Sequence, residues 1–154
     1  MTCLRVQFVD VARDRPDLGV LLHRLTSALA QRELPLLRAH QIEMWDYVVL
    51  GGLEQGPAPT QAQLAISVAR DKTRLIQTLD RLEALALLHR EPDPADRRNR
   101  IVTLTAAGRS VLATCRRDIR AMESDLLATL TTSEGAAFIR SLSALVESTS
   151  GNES

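Results

Sequence analysis

Apolar residues recur along this chain at helical spacing in six stretches and alternate like a strand in a few short ones. Leu18, Leu21, Leu22, Leu25, Ala28 and Leu29 form the first stripe, with Asp17 before it in an N-cap position. Pro35 is expected to stop or kink that helix. Met44, Trp45, Val48, Val49 and Leu53 predict a second helix over about 42–53. Gly56, Pro57 and Pro59 then mark a loop, and Thr60 is placed to cap a short helix carrying Leu64, Ala65 and Val68. Asp71 can cap a fourth helix running to about Leu85, with Leu75, Leu79 and Leu82 inward and Lys72, Thr73, Arg74, Gln77 and Arg81 on the other face.

Residues 87–91 and 100–104 read as two strands of a hairpin, joined by the polar segment from Pro92 to Arg98. That connection exceeds a two-residue turn, so it should project. Thr105 opens a long helix expected to reach Leu130, roughly 39 Å at 1.5 Å per residue. Thr131 and Glu134 have capping-box spacing before a last helix with Phe138, Ile139, Leu142, Leu145 and Val146. The tail after Ser148 is expected to fray, as is the arm before Pro16, where Leu4, Val6 and Phe8 alternate without a partner strand.

Composition narrows the class. In 154 residues the formal net charge is zero, from 19 basic and 19 acidic groups. The distribution is uneven. Residues 70–117 hold eleven basic and six acidic groups, whereas 41–69 hold three acidic and no basic ones. No apolar run approaches the roughly 20 residues of a membrane span, and the N-terminus lacks the uninterrupted apolar core of a secretory signal. Two cysteines, Cys3 and Cys115, cannot build a disulfide scaffold. The expected setting is the cytoplasm. No phosphate-binding glycine loop, nucleophile elbow or metal-hydrolase motif appears, so neither an enzyme nor a cofactor is expected.

Two short helices, a capped third with a polar outer face, and a hairpin with a basic tip make a winged helix-turn-helix, in a mainly α fold. Such a helix fits the DNA major groove, where its N-terminal residues reach base edges. Arg74 can fork onto guanine, Gln77 can pair with adenine, and Thr73 can donate to phosphate or touch a thymine methyl. Free amides in the first turn would also face phosphate. Arg97 and Arg98 suit the negative potential of a minor groove.

Residues 41–110 resemble the MarR family of bacterial transcription regulators. The resemblance rests on Thr60 to Ala65, Asp71 to Glu83, Asp93 to Arg98 and Val102 to Gly108. It implies a homodimeric repressor on a pseudo-palindromic operator in double-stranded DNA, with half-sites about one helical turn apart. It further implies an arm and dimerisation helix in 1–40, the DNA-binding domain in 41–104, and a linker helix plus second dimerisation helix in 105–154. Thr60 and the segment from Arg70 to Arg81 (Lys72, Thr73, Arg74 and Gln77 within it) become DNA contacts, Arg98 enters the minor groove beside Arg97, and Asp96 structures the wing. One departure is Ala86, where the family usually has glycine for a left-handed helix end, so that end is expected to be shaped differently.

Many members of that family respond to a small phenolic or lipophilic effector between their lobes, and His23, His40, Trp45 and Tyr47 are candidates to border such a site. Two alternatives stand beside this. Cys3, with Arg5 two residues on, could make a redox-responsive regulator, or the winged helix could be a protein-interaction module docking an acidic partner. The histidines and cysteines show no close ligand pair, so a metal site is not expected.

Overall fold

In a computed structural model, which describes residues 16–54 and 59–150, leucine-rich faces bring six helices and one hairpin together. The order is α1 (Leu18–Arg38), α2 (Met44–Glu54), α3 (Gln61–Ser67), α4 (Lys72–Ala84), β1 (Leu88–Pro92), β2 (Arg100–Leu104), α5 (Ala106–Leu127) and α6 (Thr132–Ser150). The predicted mainly α, winged helix-turn-helix class is the one observed. The N-terminal arm, Cys3 and the Gly56–Pro57 turn lie outside the described residues.

The spine is α2, which touches α1, α3, α4, α5 and β2. Its Val49 and Leu50 are fully buried, against a core that takes Leu64 from α3, Leu75, Leu79 and Leu82 from α4, Leu88 and Val102 from the hairpin, and Leu112 and Cys115 from α5. Burying one leucine contributes about 1.5–3 kcal/mol, so this cluster fixes how the third and fourth helices sit. The hairpin is antiparallel, with Leu88 opposite Leu104 and Pro92 opposite Arg100. Pro59 and Thr60 add a short third rung: Val102 N–H donates to Pro59 O at 3.1 Å, and Thr60 bridges Ile101.

Several helix ends differ from expectation. Pro35 does not stop α1, which continues to Arg38 with Pro35 inside it. A proline this near the end removes one amide donor only, and the last turn carries Leu37 fully into the core. Asp17 does occupy the N-cap, where its carbonyl receives Leu21 N–H at 3.1 Å, but its side chain makes no capping bond. The second helix starts at Met44, and Ile42 is buried in the preceding turn. The long helix ends at Leu127 rather than Leu130, and the last helix runs through Ser150, beyond the predicted fraying point. Thr131 and Glu134 do close a capping box: Thr131 N–H donates to the Glu134 carboxylate at 2.9 Å.

Three helices close in the same unusual way. Gln41, Ala69 and Ala86 all have positive φ, at 59°, 49° and 56°. Each precedes a residue whose N–H returns to a carbonyl five residues back: Ile42 to Leu37, Arg70 to Ala65, and Leu87 to Leu82, at 2.9–3.2 Å. This is the Schellman closure, usually built on glycine. At Ile42–Leu37 and Leu87–Leu82 a buried apolar pair accompanies it, offsetting the strain of the left-handed residue. Ala86 therefore adopts the left-handed end that its departure from glycine had argued against.

Candidate nucleic-acid interface

Both short helices of the helix-turn-helix are capped by their own sequence. Thr60 accepts from Gln63 N–H at 3.3 Å while Gln63 Oε1 accepts from Thr60 N–H at 2.9 Å. Asp71 accepts from the amides of Thr73 and Arg74 at 3.0 and 3.2 Å. This revises one expectation. Those two amides of the α4 first turn are held by Asp71, so they are not free to meet phosphate.

The side chains divide into two sets. Lys72, Thr73, Arg74 and Gln77 are exposed, and among the described residues their side chains have no hydrogen-bond or ion-pair partner. Arg81, placed with them from sequence, does something else. Its guanidinium bonds Asp46 at 2.7 Å and Glu43 at 2.7 Å, and the Asp46 side chain is completely buried. Burial opposes the Arg81 charge, but the bonds to the two carboxylates outweigh it and raise its pKa. Asp46 also accepts from Glu43 N–H at 2.8 Å, which ties the start of α2 to the last turn of α4. Arg81 is thus held by the fold, at the far end of α4 from Lys72.

The wing is tied down at its base and exposed at its tip, where Arg98 Nε lies 3.9 Å from Asp96. Arg90 on β1 bonds Asp80 at 2.7 Å and Glu83 through its Nε at 2.9 Å, and its N–H donates to Glu83 at 3.0 Å. The bonds from Arg90 hold the Glu83 carboxyl below the usual carboxylate range. At the tip, Asp96 accepts from the Arg98 amide at 3.1 Å and from Asn99 Nδ2 at 3.2 Å. Asp93 accepts from Ala95 N–H at 2.8 Å. The tip is therefore an ordered turn, and the Arg98 side chain on it is 95% exposed. Arg97 is exposed beside it.

Sequence reasoning missed Arg100. It joins Gln61, Glu83 and Arg90 around a polar recess of about 400 Å³ between the wing and the two short helices. Nothing in its local pattern marks the recess, which exists because the Pro59–Thr60 rung draws α3 against β2.

The four candidate effector residues have separate surroundings. His23 is exposed on α1, and His40 lies 3.7 Å from Asp118. Tyr47 lies beside Arg116, which bonds Glu54 at 2.6 Å. The Trp45 ring lies under the Arg70 guanidinium, 4.0 Å from centroid to Cζ. An apolar groove opens elsewhere, about 360 Å³ between α1, α5 and α6, lined by Leu25, Leu29, Leu126, Phe138, Ile139 and Leu142 among others. Cys115 is fully buried, and burial pushes its thiol pKa up, with Asp118 adding to the shift. Among the described residues, no group of three or more His, Cys, Asp or Glu is placed to hold a metal ion, and no helix is long and apolar enough to cross a membrane.

A capped helix pair, an ordered basic wing and a shared core define a winged helix-turn-helix protein. The chain belongs to the MarR family of transcription regulators. It is 32% identical over 110 residues to the transcriptional regulator HosA of Escherichia coli O157:H7, covering 71% of this chain and 78% of that one. With HosA of E. coli O111:H- identity is 39% over 83 residues, and that match spans 54% of this chain and 58% of the relative, under two thirds of its length. Among solved structures, a cysteine-to-serine mutant of E. coli MarR complexed with operator DNA is similar at 25% identity and a TM-score of 0.73, over 83% of this chain and 92% of that one. BpsR of Bordetella bronchiseptica is also similar, at 25% identity and a TM-score of 0.73, over 84% of this chain and 93% of that one. Its structure concerns regulation of DNA binding by 6-hydroxynicotinic acid. No protein-family model matches the chain.

Proposed function

We propose that the protein is a sequence-specific, DNA-binding transcription repressor. The observation that carries this is the partner-free set Lys72, Thr73, Arg74 and Gln77 on a helix whose opposite face is locked into the core. Long polar side chains with no internal use, on a rigid helix of groove-filling size, are what base readout requires. Arg98 and Arg97 supply minor-groove contacts from the wing, and Thr60 and Arg70 approach the backbone from either side of α3. Arg81 acts through the position of α4. The likeness to MarR in its operator complex supports the same reading.

The repressor acts as a homodimer on a pseudo-palindromic operator. Leu18, Val20, Leu21 and Leu22 on α1 and Phe138, Ile139, Leu145 and Val146 on α6 are all exposed, flanking the apolar groove. Exposed apolar surface on this scale marks an interface, and a second copy is the occupant that the family reading provides. A small phenolic or lipophilic effector releases the DNA. The support for that step is the likeness to BpsR, since His23, His40, Trp45 and Tyr47 each engage different surroundings.

Genomic fragments incubated with the purified protein at two salt concentrations test the reading. Enrichment of a few discrete sites, with affinity falling steeply as salt rises, is the expected result. Recovery of no fragment above background overturns it. An acidic protein partner binding in place of DNA would favour the interaction-module alternative. A monomer in sedimentation at micromolar concentration would remove the dimer.

A further inference from the structure

We propose that Trp45 is a positioning residue for DNA: its ring holds the Arg70 guanidinium in a fixed plane at the turn into α4, so that Arg70 meets a backbone phosphate already oriented. The inference rests on the DNA-binding reading and adds to it a residue on α2.

Three helix ends share one closure, and at two of them the residue after the left-handed position is buried and apolar, Ile42 and Leu87. At the third, after Ala69, it is Arg70. An arginine in a place the fold otherwise fills with apolar side chains needs cover, and Trp45 provides it at 4.0 Å. The contact is not a core contact by default, because Trp45 remains 40% exposed. Arg70 Nε is buried without a hydrogen-bond partner and is out of reach of DNA, so the stack fixes the plane in which the terminal guanidinium nitrogens are presented. A phosphate oxygen is the acceptor class that such a forked, partly desolvated donor takes best. The neighbouring residue makes the arrangement coherent. Asp46 grips Arg81 at the end of α4 while Trp45 grips Arg70 just before its start, so one turn of α2 sets both ends of the recognition helix.

The test is a double-mutant cycle read as DNA affinity, on the fragment enriched from the genome and on a scrambled duplex of equal length. Arg70→Ala should weaken both by about the same factor and reduce the salt slope by roughly 0.9, one phosphate contact. Trp45→Leu should weaken both by about 3- to 10-fold, and should add nothing in the Arg70→Ala background. Trp45→Phe should recover part of the loss. Trp45 is the only tryptophan, so Arg70→Ala should also shift its emission. Additive losses in the cycle, or wild-type affinity in Trp45→Leu, overturn the inference. If Trp45→Leu does not fold, Trp45→Phe and Trp45→Tyr are read in the same cycle with the same criteria. A wild-type chain that selects no DNA overturns the underlying reading as well, which separates the two failures.

Discussion

The Thr105 hydroxyl donates a 2.8 Å hydrogen bond to the carbonyl of Ala86, nineteen residues earlier, while accepting from Gly108 N–H at 2.9 Å. One side chain thereby caps α5 and pins the left-handed end of α4. Ala86 holds φ at 56° with a Cβ that this region disfavours by roughly 1–2 kcal/mol. Ala86→Gly should therefore stabilise the protein by about 0.5–1 kcal/mol after glycine's entropic cost. That is about 2–3 °C in thermal midpoint for a chain of this size. A lower midpoint would mean the Thr105 bond and the Leu82–Leu87 contact had removed the strain already.

Gly108 is required for a different reason. A Cβ added there would lie 1.9 Å from the Leu87 carbonyl oxygen, which itself accepts Thr105 N–H at 3.1 Å. Backbone cannot yield as a flexible side chain can. Gly108→Ala should cost roughly 3 kcal/mol or more, seen in urea denaturation as an early midpoint. A variant as stable as the parent would show that α5 can pivot away from β1.

Arg81→Met should leave the Asp46 carboxylate buried without its partner. Breaking such a pair from one side costs about 3–5 kcal/mol, and the double variant Arg81→Met with Asp46→Leu should recover much of it. Denaturation of the two variants side by side checks this. Equal destabilisation of both would mean that Asp46 matters mainly through its bond to Glu43 N–H.

Five short-range signals were legible along the chain. The apolar periods, the caps at Thr60, Asp71 and Thr105, and the Thr131–Glu134 box all sit within one helical turn of what they act on, so local sequence carries them. The residues whose surroundings were not legible have distant partners. Nothing local distinguishes Arg81 from Arg74, and the carboxylate that holds it lies thirty-five positions away on α2. The Pro59–Val102 rung, the grip of Arg90 on Glu83, and the surroundings of Arg100 likewise depend on how elements pack. The left-handed alanines are hidden in the sequence because glycine is the ordinary mark of that conformation, and at Ala86 the buried Leu82–Leu87 pair supplies the compensation.

Acid should weaken the tie between α4 and the wing. Glu83 titrates below its ordinary value of 4.5 because of its bonds to Arg90. A carboxylate with a depressed folded pKa adds stability above its unfolded pKa, and that contribution is lost as pH falls through the folded value. Stability measured from pH 7 downward should fall below about pH 4.5, and Glu83→Gln should flatten that limb. An unchanged acid limb in Glu83→Gln would place the sensitivity in other carboxylates.

The wing tip should separate binding from folding. Arg98→Ala removes an almost wholly exposed side chain, so the thermal midpoint should stay within about 1 °C while affinity for selected DNA drops. Asp96→Ala keeps Arg98 but frees its turn, and should give a smaller loss than Arg98→Ala. Equal affinities for all three proteins, measured by fluorescence anisotropy, would remove the wing from the interface.

The partition of α4 has a consequence for how this chain can change its target. The side chains that secure the helix are the Asp71 cap and those that point inward or toward α2 and β1, while the side chains of Lys72, Thr73, Arg74 and Gln77 make no internal bond among the described residues. Those four positions can be exchanged like type in a press, leaving the frame that prints them intact. On the proposed function, a lineage carrying this scaffold acquires a new operator by altering them, without first passing through an unstable intermediate.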